Sequence, residues 1–421
     1  MATTPSPPPT PRTGAAEWRL HPLWERLVVV CFLAALAVPG LATLAGVDAG
    51  VTRDENRDLA ASPDLTMSWP AVSAFPAVFT TWFQDHFAFR GRLVQWQAAF
   101  RLLALRVSPS PTVMRGKDGW LFYADDGALD DYLNAAPLSD ADLSRWTTTL
   151  QHTQDWLEAR GIAYLFVVAP DKHAIYPEFL PDGLHRRPGP SRADQLVAHL
   201  RAHSTVPVLD LRPALLDAKR DARIYHRTDS HWNDLGAFVA SQQILGRLHA
   251  LTGGRLPALA PPSASAFDRR DARAPGKDLA RMLGLERWLS EDDPRLRARD
   301  AHARVVDAPT QHPDGDDPGY DRGRFATAVA RPDLPRAVVY RDSFGSALVP
   351  FLSEHFSRAL YLWEYDVDPR TVEQERPQVV IHEWASRRFT TRLPYDAFAQ
   401  PVAPATSAPA APVSSSAPAR R

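Results

Sequence analysis

The run Ile162-Ala163-Tyr164-Leu165-Phe166-Val167-Val168-Ala169 is apolar without interruption and stops at Pro170. A strand with one wet face alternates apolar and polar side chains, whereas an uninterrupted apolar strand is covered on both faces, the situation of parallel sheets between layers of helices. The flanking text agrees. From Ser139 to Arg160 the residues Leu143, Trp146, Leu150, Trp156 and Leu157 recur at about helical spacing, and Gly161 supplies the stop. A second helix near 192–202 leads into a second strand, Val206 to Leu211. Helix, strand, helix, strand at this spacing predicts an α/β fold: a doubly wound, mostly parallel sheet flanked by helices.

A further helix is expected over 235–251, after which residues 253–335 break the rhythm. They are dense in Pro, Asp and Arg and read as an insertion or excursion over the sheet. Alternation resumes with a strand at 337–340, a helix at 346–355 and strands at 358–363 and 379–383, for about five strands in all. Upstream, 48–138 reads as a helical leading segment with Phe79, Trp82, Phe83 and Phe87, followed by a first strand region around Gly119-Trp120-Leu121-Phe122-Tyr123. The catalytic portion is placed at 139–398. The Ala/Pro/Ser tract 399–421 cannot bury enough apolar surface to fold and is read as a disordered tail.

Leu27 to Val47 carries no charge and is long enough to cross a bilayer as a helix. Arg12, Arg19 and Arg26 precede it and Asp48, Asp54 and Glu55 follow, so the leading side is expected in the cytoplasm. Residues 1–26 then form a disordered cytoplasmic N-terminus, 27–47 a transmembrane anchor in the cell inner membrane, and the rest a periplasmic portion. A cleaved signal peptide is the rival, with small-residue sites at Thr43-Leu44-Ala45 and Val47-Asp48-Ala49. The one cysteine, Cys31, excludes an intrachain disulfide and a thiolate metal site. A net charge of -1 gives no general attraction to nucleic acid, which is not expected as a partner.

Chemistry concentrates in Tyr225-His226-Arg227-Thr228-Asp229-Ser230-His231-Trp232-Asn233 and in Arg341-Asp342-Ser343-Phe344-Gly345. Residues two apart on an extended segment share a face, so the Asp229 carboxylate can hold one nitrogen of His231 and leave the other free as a base. Ser343 follows the apolar run Ala337 to Tyr340 and so falls at a strand's carboxyl end, where open α/β sheets place their chemistry. Three readings stand side by side. In the first, Ser343 is a nucleophile with His231 as base and Asp229 as orienting carboxylate. In the second, His226, Asp229 and His231 hold a divalent metal with help from His173 or His185. In the third, the Asp-His pair only satisfies buried polar groups, and Asp342 or Ser343 merely caps a helix.

The stretch Tyr225-x-x-Thr228-Asp229-Ser230-His231-Trp232-Asn233-x-x-Gly236-Ala237 resembles the Asp-x-His-Trp signature of the AlgJ/AlgX-like alginate O-acetyltransferases, which are SGNH-hydrolase-like. Further blocks of the resemblance are Glu55-Asn56-Arg57, Asp85-His86-Phe87 with Arg90, Gly119 to Phe122, Lys172 with Tyr176 and Pro181, Leu279 to Leu285, and Asp342-Ser343-Phe344. Together they extend over roughly 50–390. The resemblance implies a membrane-anchored enzyme that acetylates hydroxyls of an exported polysaccharide, with Asp229, His231 and Ser343 as catalytic residues. It also implies a multipass membrane acyltransferase as the partner that supplies acetyl groups. A carbohydrate acetylesterase with the same triad and a non-catalytic glycan-binding subunit are the alternatives. Trp232, Lys172, Tyr176 and Arg341 are expected to contact substrate. Oxyanion donors are sought at the start of the helix after Ser343. No cofactor is called for and no metal ligand set is assigned.

Overall fold

The computed structural model describes residues 22–45, 60–63, 68–307 and 323–399. Most of the expected N-terminal disorder, the Glu55-Asn56-Arg57 block and all but the first residue of the C-terminal tail lie outside the described residues. The chain divides into two compact units, Met1–Gln97 and Ala98–Arg421.

The first unit is helical. Helix α1 (Pro22–Leu44) contains Leu23–Thr43, which is long and apolar enough to cross a membrane, with mean hydropathy 2.1. Helix α2 (Trp69–His86) starts at Ser68, whose hydroxyl accepts from the Ala71 amide, with Pro70 in its first turn. Helix α3 opens at Arg90 and ends at Ala99.

The second unit starts with a small antiparallel pair, β1 (Val113–Arg115) and β2 (Leu121–Tyr123). Its main sheet contains β3 (Ala163–Ala169) and β4 (Val208–Asp210). An antiparallel ribbon of β5 (Phe267–Pro275) and β6 (Ser290–Ala298) stands apart from it. The main sheet is completed by β7 (Arg304–Asp307), β8 (Arg324–Ala328), β9 (Arg336–Tyr340), β10 (Arg358–Leu362) and β11 (Val379–Ala385). The order is β4-β3-β11-β9-β10-β8-β7, parallel from β4 to β10 and antiparallel at β8 and β7.

The uninterrupted apolar text of β3 serves two cores. Leu165, Val167 and Ala169 enter one with Phe238, Ile244, Leu245 and Leu248 of the Asp234–Leu251 helix. Tyr164, Phe166 and Val168 enter the other with Trp146, Leu150, Leu196 and Leu200 from the Asp140–Glu158 and Arg192–His203 helices. Both of these helices begin in capping boxes, Ser139 with Asp142 and Ser191 with Asp194. Trp146 is fully buried and meets Trp384 edge-on at 4.8 Å. Truncating such a side chain costs about 3–5 kcal/mol.

Two expectations need correction. Residues 253–335 do not merely pass over the sheet, since β7 and β8 extend it to seven strands. Their text hid this: β7 is an exposed edge strand flanked by Arg and Asp, and β8 buries only Phe325, Ala326 and Thr327. The helix expected over 346–355 is three short pieces, Phe344–Leu348, Val349–Leu352 and Ser353–His355. Pro350 lacks the amide that would continue the preceding turn.

Candidate active site

The 225–233 segment closes on itself. Tyr225 bridges Trp232, the His226 amide donates to the His231 carbonyl at 3.2 Å, and the Asn233 amide donates to Ile224 at 3.0 Å. Asn233 then caps the following helix by accepting from Leu235 and Gly236. Gly236 is required by contact: a Cβ there would sit 2.3 Å from the Ile224 carbonyl oxygen and 2.8 Å from Trp232 Cβ. The sequence pattern from Tyr225 to Gly236 is thus one folding unit, a loop pressed onto the helix it starts.

Within the loop, Asp229 Oδ1 takes two bonds from the residue two places on, from His231 Nδ1 at 2.7 Å and from the His231 amide at 3.0 Å. Three outside residues hold the loop. Lys172 donates its ammonium to the carbonyls of His226 and Arg227, at 3.1 and 3.2 Å, and of Asp229. Glu291 accepts from the amides of Arg227 and Thr228, from the Thr228 hydroxyl, and from Arg223. Asp278 accepts from the Ser230 amide and hydroxyl at 2.9 and 2.6 Å and lies 3.6 Å from His231 Nδ1.

The second strip follows the central strand β9. Asp342 is fully buried and accepts from the amides of Phe344 and Ala385, both at 2.9 Å, while its own amide donates to Glu383. The cap of the helical turn is therefore Asp342. The Ser343 side chain makes no capping bond and is half-buried. Arg341 is buried beneath, donating to Ser346 Oγ at 2.8 Å, and Gly345 leaves room for it, because a Cβ there would meet Arg341 Cβ at 2.6 Å. Phe344 joins the two strips: its ring lies 4.8 Å from that of His231, 4.9 Å from that of Trp232, and 5.3 Å from the Arg387 guanidinium. The side chain of the residue that follows Ser343 thus packs against the imidazole. His231 Nε2 is buried and has no hydrogen-bond partner.

The electrostatics separate the acids. Burial works to raise the Asp229 carboxyl, but the hydrogen bond and charge of His231, with His226 beyond, hold it well below the usual range. Burial pulls His231 down, and Asp229 and then Asp278 outweigh it, so its imidazole stands above the ordinary value. Asp278 is pushed up to about 6 by burial and by the charge of Asp229. Glu383 is raised well above a normal carboxyl by burial and by neighbouring Asp342.

Residues 113–318 match the family described as SGNH hydrolase-like domain, acetyltransferase AlgX. Over these residues the chain is similar to an AlgX-type SGNH hydrolase-like domain. Two curated relatives are named probable alginate O-acetylase AlgJ. That of Pseudomonas aeruginosa is 32% identical over 138 residues, 32% of this chain and 32% of that protein. That of Pseudomonas syringae pv. tomato is 31% identical over 137 residues, again 32% of each. The chain spans about a third of the length of the curated relatives it matches. Among solved structures, the O-acetyltransferase domain of Pseudomonas putida AlgJ is similar over 67% of this chain and 94% of that one, at 20% identity and a TM-score of 0.43. Bacillus cereus PatB1 with a sulfonyl adduct is similar over 66% and 97%, at 16% identity and 0.49.

Asp229 and His231 lie inside the matched residues and Ser343 beyond them. The four residues expected to touch substrate are all interior: Lys172 is 1% exposed, Tyr176 4%, Trp232 1% and Arg341 0%. Tyr176 accepts from the Ile224 amide and lies against Trp120, at 4.5 Å between rings. These side chains brace the two strips from below, a placement that leaves no face for a sugar. The metal set also differs from the expectation. His226 faces Glu291 and Asp293 at 3.8 and 3.9 Å, His173 packs on Phe122, and His185 bonds the Gly183 carbonyl on the surface. The cluster with ligand atoms within 4.8 Å is Asp229, His231 and Asp278. At the helix start after Ser343 the Phe344 amide is already taken by Asp342, so it does not serve as an oxyanion donor. Asp278, Glu291 and Arg387 had not been singled out in the sequence.

Proposed function

We propose that the protein is an O-acetyltransferase that moves acetyl groups onto hydroxyls of an exported polysaccharide through an acetyl-Ser343 intermediate. The observation that carries the reading is the His231 imidazole, held at Nδ1 by Asp229 and free at Nε2, packed on the residue after Ser343. In the first half-reaction Ser343 Oγ attacks the donor's acetyl carbon while Nε2 takes the hydroxyl proton. The leaving group departs with that proton. In the second, Nε2 takes the proton of a sugar hydroxyl, whose oxygen attacks the acetyl carbon, and the Ser343 oxygen recovers the proton. Asp229 stabilises the imidazolium in both halves. The donor is delivered by a multipass membrane acyltransferase, and α1 anchors the chain in the inner membrane with the catalytic portion in the periplasm, the acceptor being alginate-like or another exopolysaccharide.

Incubation with p-nitrophenyl acetate tests the reading: intact-mass and peptide mass spectrometry should find one acetyl group on Ser343. Ser343→Ala should lose the adduct and glycan acetylation in cells, by at least about a thousandfold. An acetylated glycan in cells carrying the folded Ser343→Ala protein would refute it. Hydrolysis of acetylated glycan without any transfer would assign the same residues to an esterase.

A further inference from the structure

The sequence of α2 has no charged residue from Trp69 to Gln84, yet the helix is not a buried core element. Trp69 is 80% exposed, and Val72, Phe75, Val78 and Phe79 are between 37% and 46% exposed. The rings of Phe75, Phe79 and Phe83 stack in series at 5.6 and 5.9 Å, forming an aromatic stripe at helical spacing. Water is a poor covering for such a stripe. Exposed apolar side chains favour removal from water in proportion to their area, and contiguous patches of them mark a surface that something covers.

Three observations indicate what covers it. The stripe is continuous with α1: Phe79, Trp82 and Phe83 line one groove with Leu36, Gly40 and Leu41, and the Ala88 amide donates to Thr43 Oγ1 at 2.8 Å. Every hydroxyl on α2 is satisfied within the helix. Ser73 donates to the Pro70 carbonyl, Thr80 to Pro76 and Thr81 to Ala77, at 3.0, 2.6 and 3.0 Å. Thr43 does the same toward Pro39 in α1. Hydroxyls turned back onto the backbone leave no hydroxyl donor facing outward, an arrangement suited to hydrocarbon. The polar residues are then gathered at one end, Gln84, Asp85 and His86, followed by Arg90 and Arg92. From Trp69 to Phe83 the helix is about 21 Å long at 1.5 Å per residue, short of the roughly 30 Å hydrocarbon core.

We propose that α2 is a second membrane-seated helix, lying in lipid beside α1 with its Trp69–Phe83 stretch immersed and its Gln84–His86 end at the water boundary, without crossing the bilayer. The covering partner is lipid acyl chain, and Trp82, one turn from the polar end of the helix, is suited to the headgroup boundary. The inference rests on the reading of α1 as an anchor.

The test uses the full chain with Cys31→Ser, reconstituted in phosphatidylcholine/phosphatidylglycerol vesicles, with a nitroxide on single variants Val72→Cys, Phe75→Cys, Phe79→Cys and Gln84→Cys, and on Leu33→Cys in α1. Collision with oxygen, which concentrates in lipid, is compared with collision with a water-soluble nickel chelate. The oxygen-to-nickel ratio should be several-fold higher at 72, 75 and 79 than at 84, and close to that at 33. Nickel access at 72, 75 and 79 with protection at 33 would overturn the proposal while leaving the anchor intact. Nickel access at all five positions would remove the anchor reading itself. Exclusion of both reagents at 72, 75 and 79, with immobilised spectra, would show a protein-covered face and equally overturn it.

Discussion

Replacing Lys172 by Met separates two roles for a residue first read as a substrate contact. The ammonium is 1% exposed and reaches three carbonyls of the 226–229 loop. Hydrogen bonds from a charged donor contribute about 1.5–3 kcal/mol each, so three give roughly 4.5–9 kcal/mol. Against this stands burial of the charge. Burial moves the amine down from 10.5 to about 8, partly offset by Asp278, Asp229 and Glu291. A fall of that size corresponds to roughly 3 kcal/mol. The difference, roughly 1.5–6 kcal/mol, brackets the expected destabilisation, with about 4 kcal/mol as its centre. For a chain of this length that lowers Tm by about 8 °C, at roughly 2 °C per kcal/mol. The assay is a thermal melt of the full-length protein in detergent, followed by tryptophan fluorescence, with amide exchange across 224–233 read by mass spectrometry. Lys172→Met should melt earlier, exchange faster in that loop, and turn over p-nitrophenyl acetate more slowly because His231 is less well held. An unchanged Tm and unchanged loop protection, with a raised KM for glycan alone, would refute the bracing argument and restore a substrate contact.

Glu291→Gln should destabilise by about 3 kcal/mol at neutral pH, since it strips the charge from a fully buried partner of Arg223. Burial works to raise the Glu291 carboxyl, but His226, Thr228 and the Arg227 amide hold it far below 4.5, so the wild-type advantage is present above that pH and is lost as pH falls toward the folded value, as melts across pH 3–7 would record. Gly345→Ala should cost about 1–3 kcal/mol, because the added Cβ meets the buried Arg341 stem, and Tm measures it. Asp278→Asn should shift the acid limb of the pH–rate profile for p-nitrophenyl acetate to lower pH. His231 must be neutral to act as a base, and the charge of Asp278 is one of the influences holding its imidazole up.

The readable parts of the sequence were those in which partners are close along the chain or share a period. The β3 run is apolar on both faces because helices cover both, so its text alone implied the layers around it. Asp229 and His231 are two residues apart, and their bond is a local geometric fact. Lys172, Asp278 and Glu291 reach the same loop from 48 to 63 residues away, and nothing in their own neighbourhoods says so. Lys172 in particular reads as a substrate contact beside a strand end, and the three carbonyls it reaches give its buried ammonium partners. The edge strand β7 and its neighbour β8 were hidden for a related reason: β7 buries none of its side chains and β8 only three, and charged flanks mask the little alternation they have.

Two carboxylates approach His231 from the same nitrogen side, and their unequal surroundings assign them unequal work. Asp229 bonds Nδ1 directly and is held ionised over the whole functional range, so it fixes the tautomer and balances the imidazolium. Asp278 stands 3.6 Å away, engages Ser230 instead, and is pushed up to about 6 by burial and by Asp229 itself. Like charges this close cannot both ionise cheaply, and Asp229, with the imidazole's hydrogen bond, is the one that keeps its charge. Protonation of Asp278 near pH 6 removes negative charge from beside His231, so it favours the neutral base as the medium becomes acidic. The acid limb of the proposed reaction therefore begins at higher pH and spreads over a wider range than a lone Asp-His pair would give, and it belongs to the three groups together.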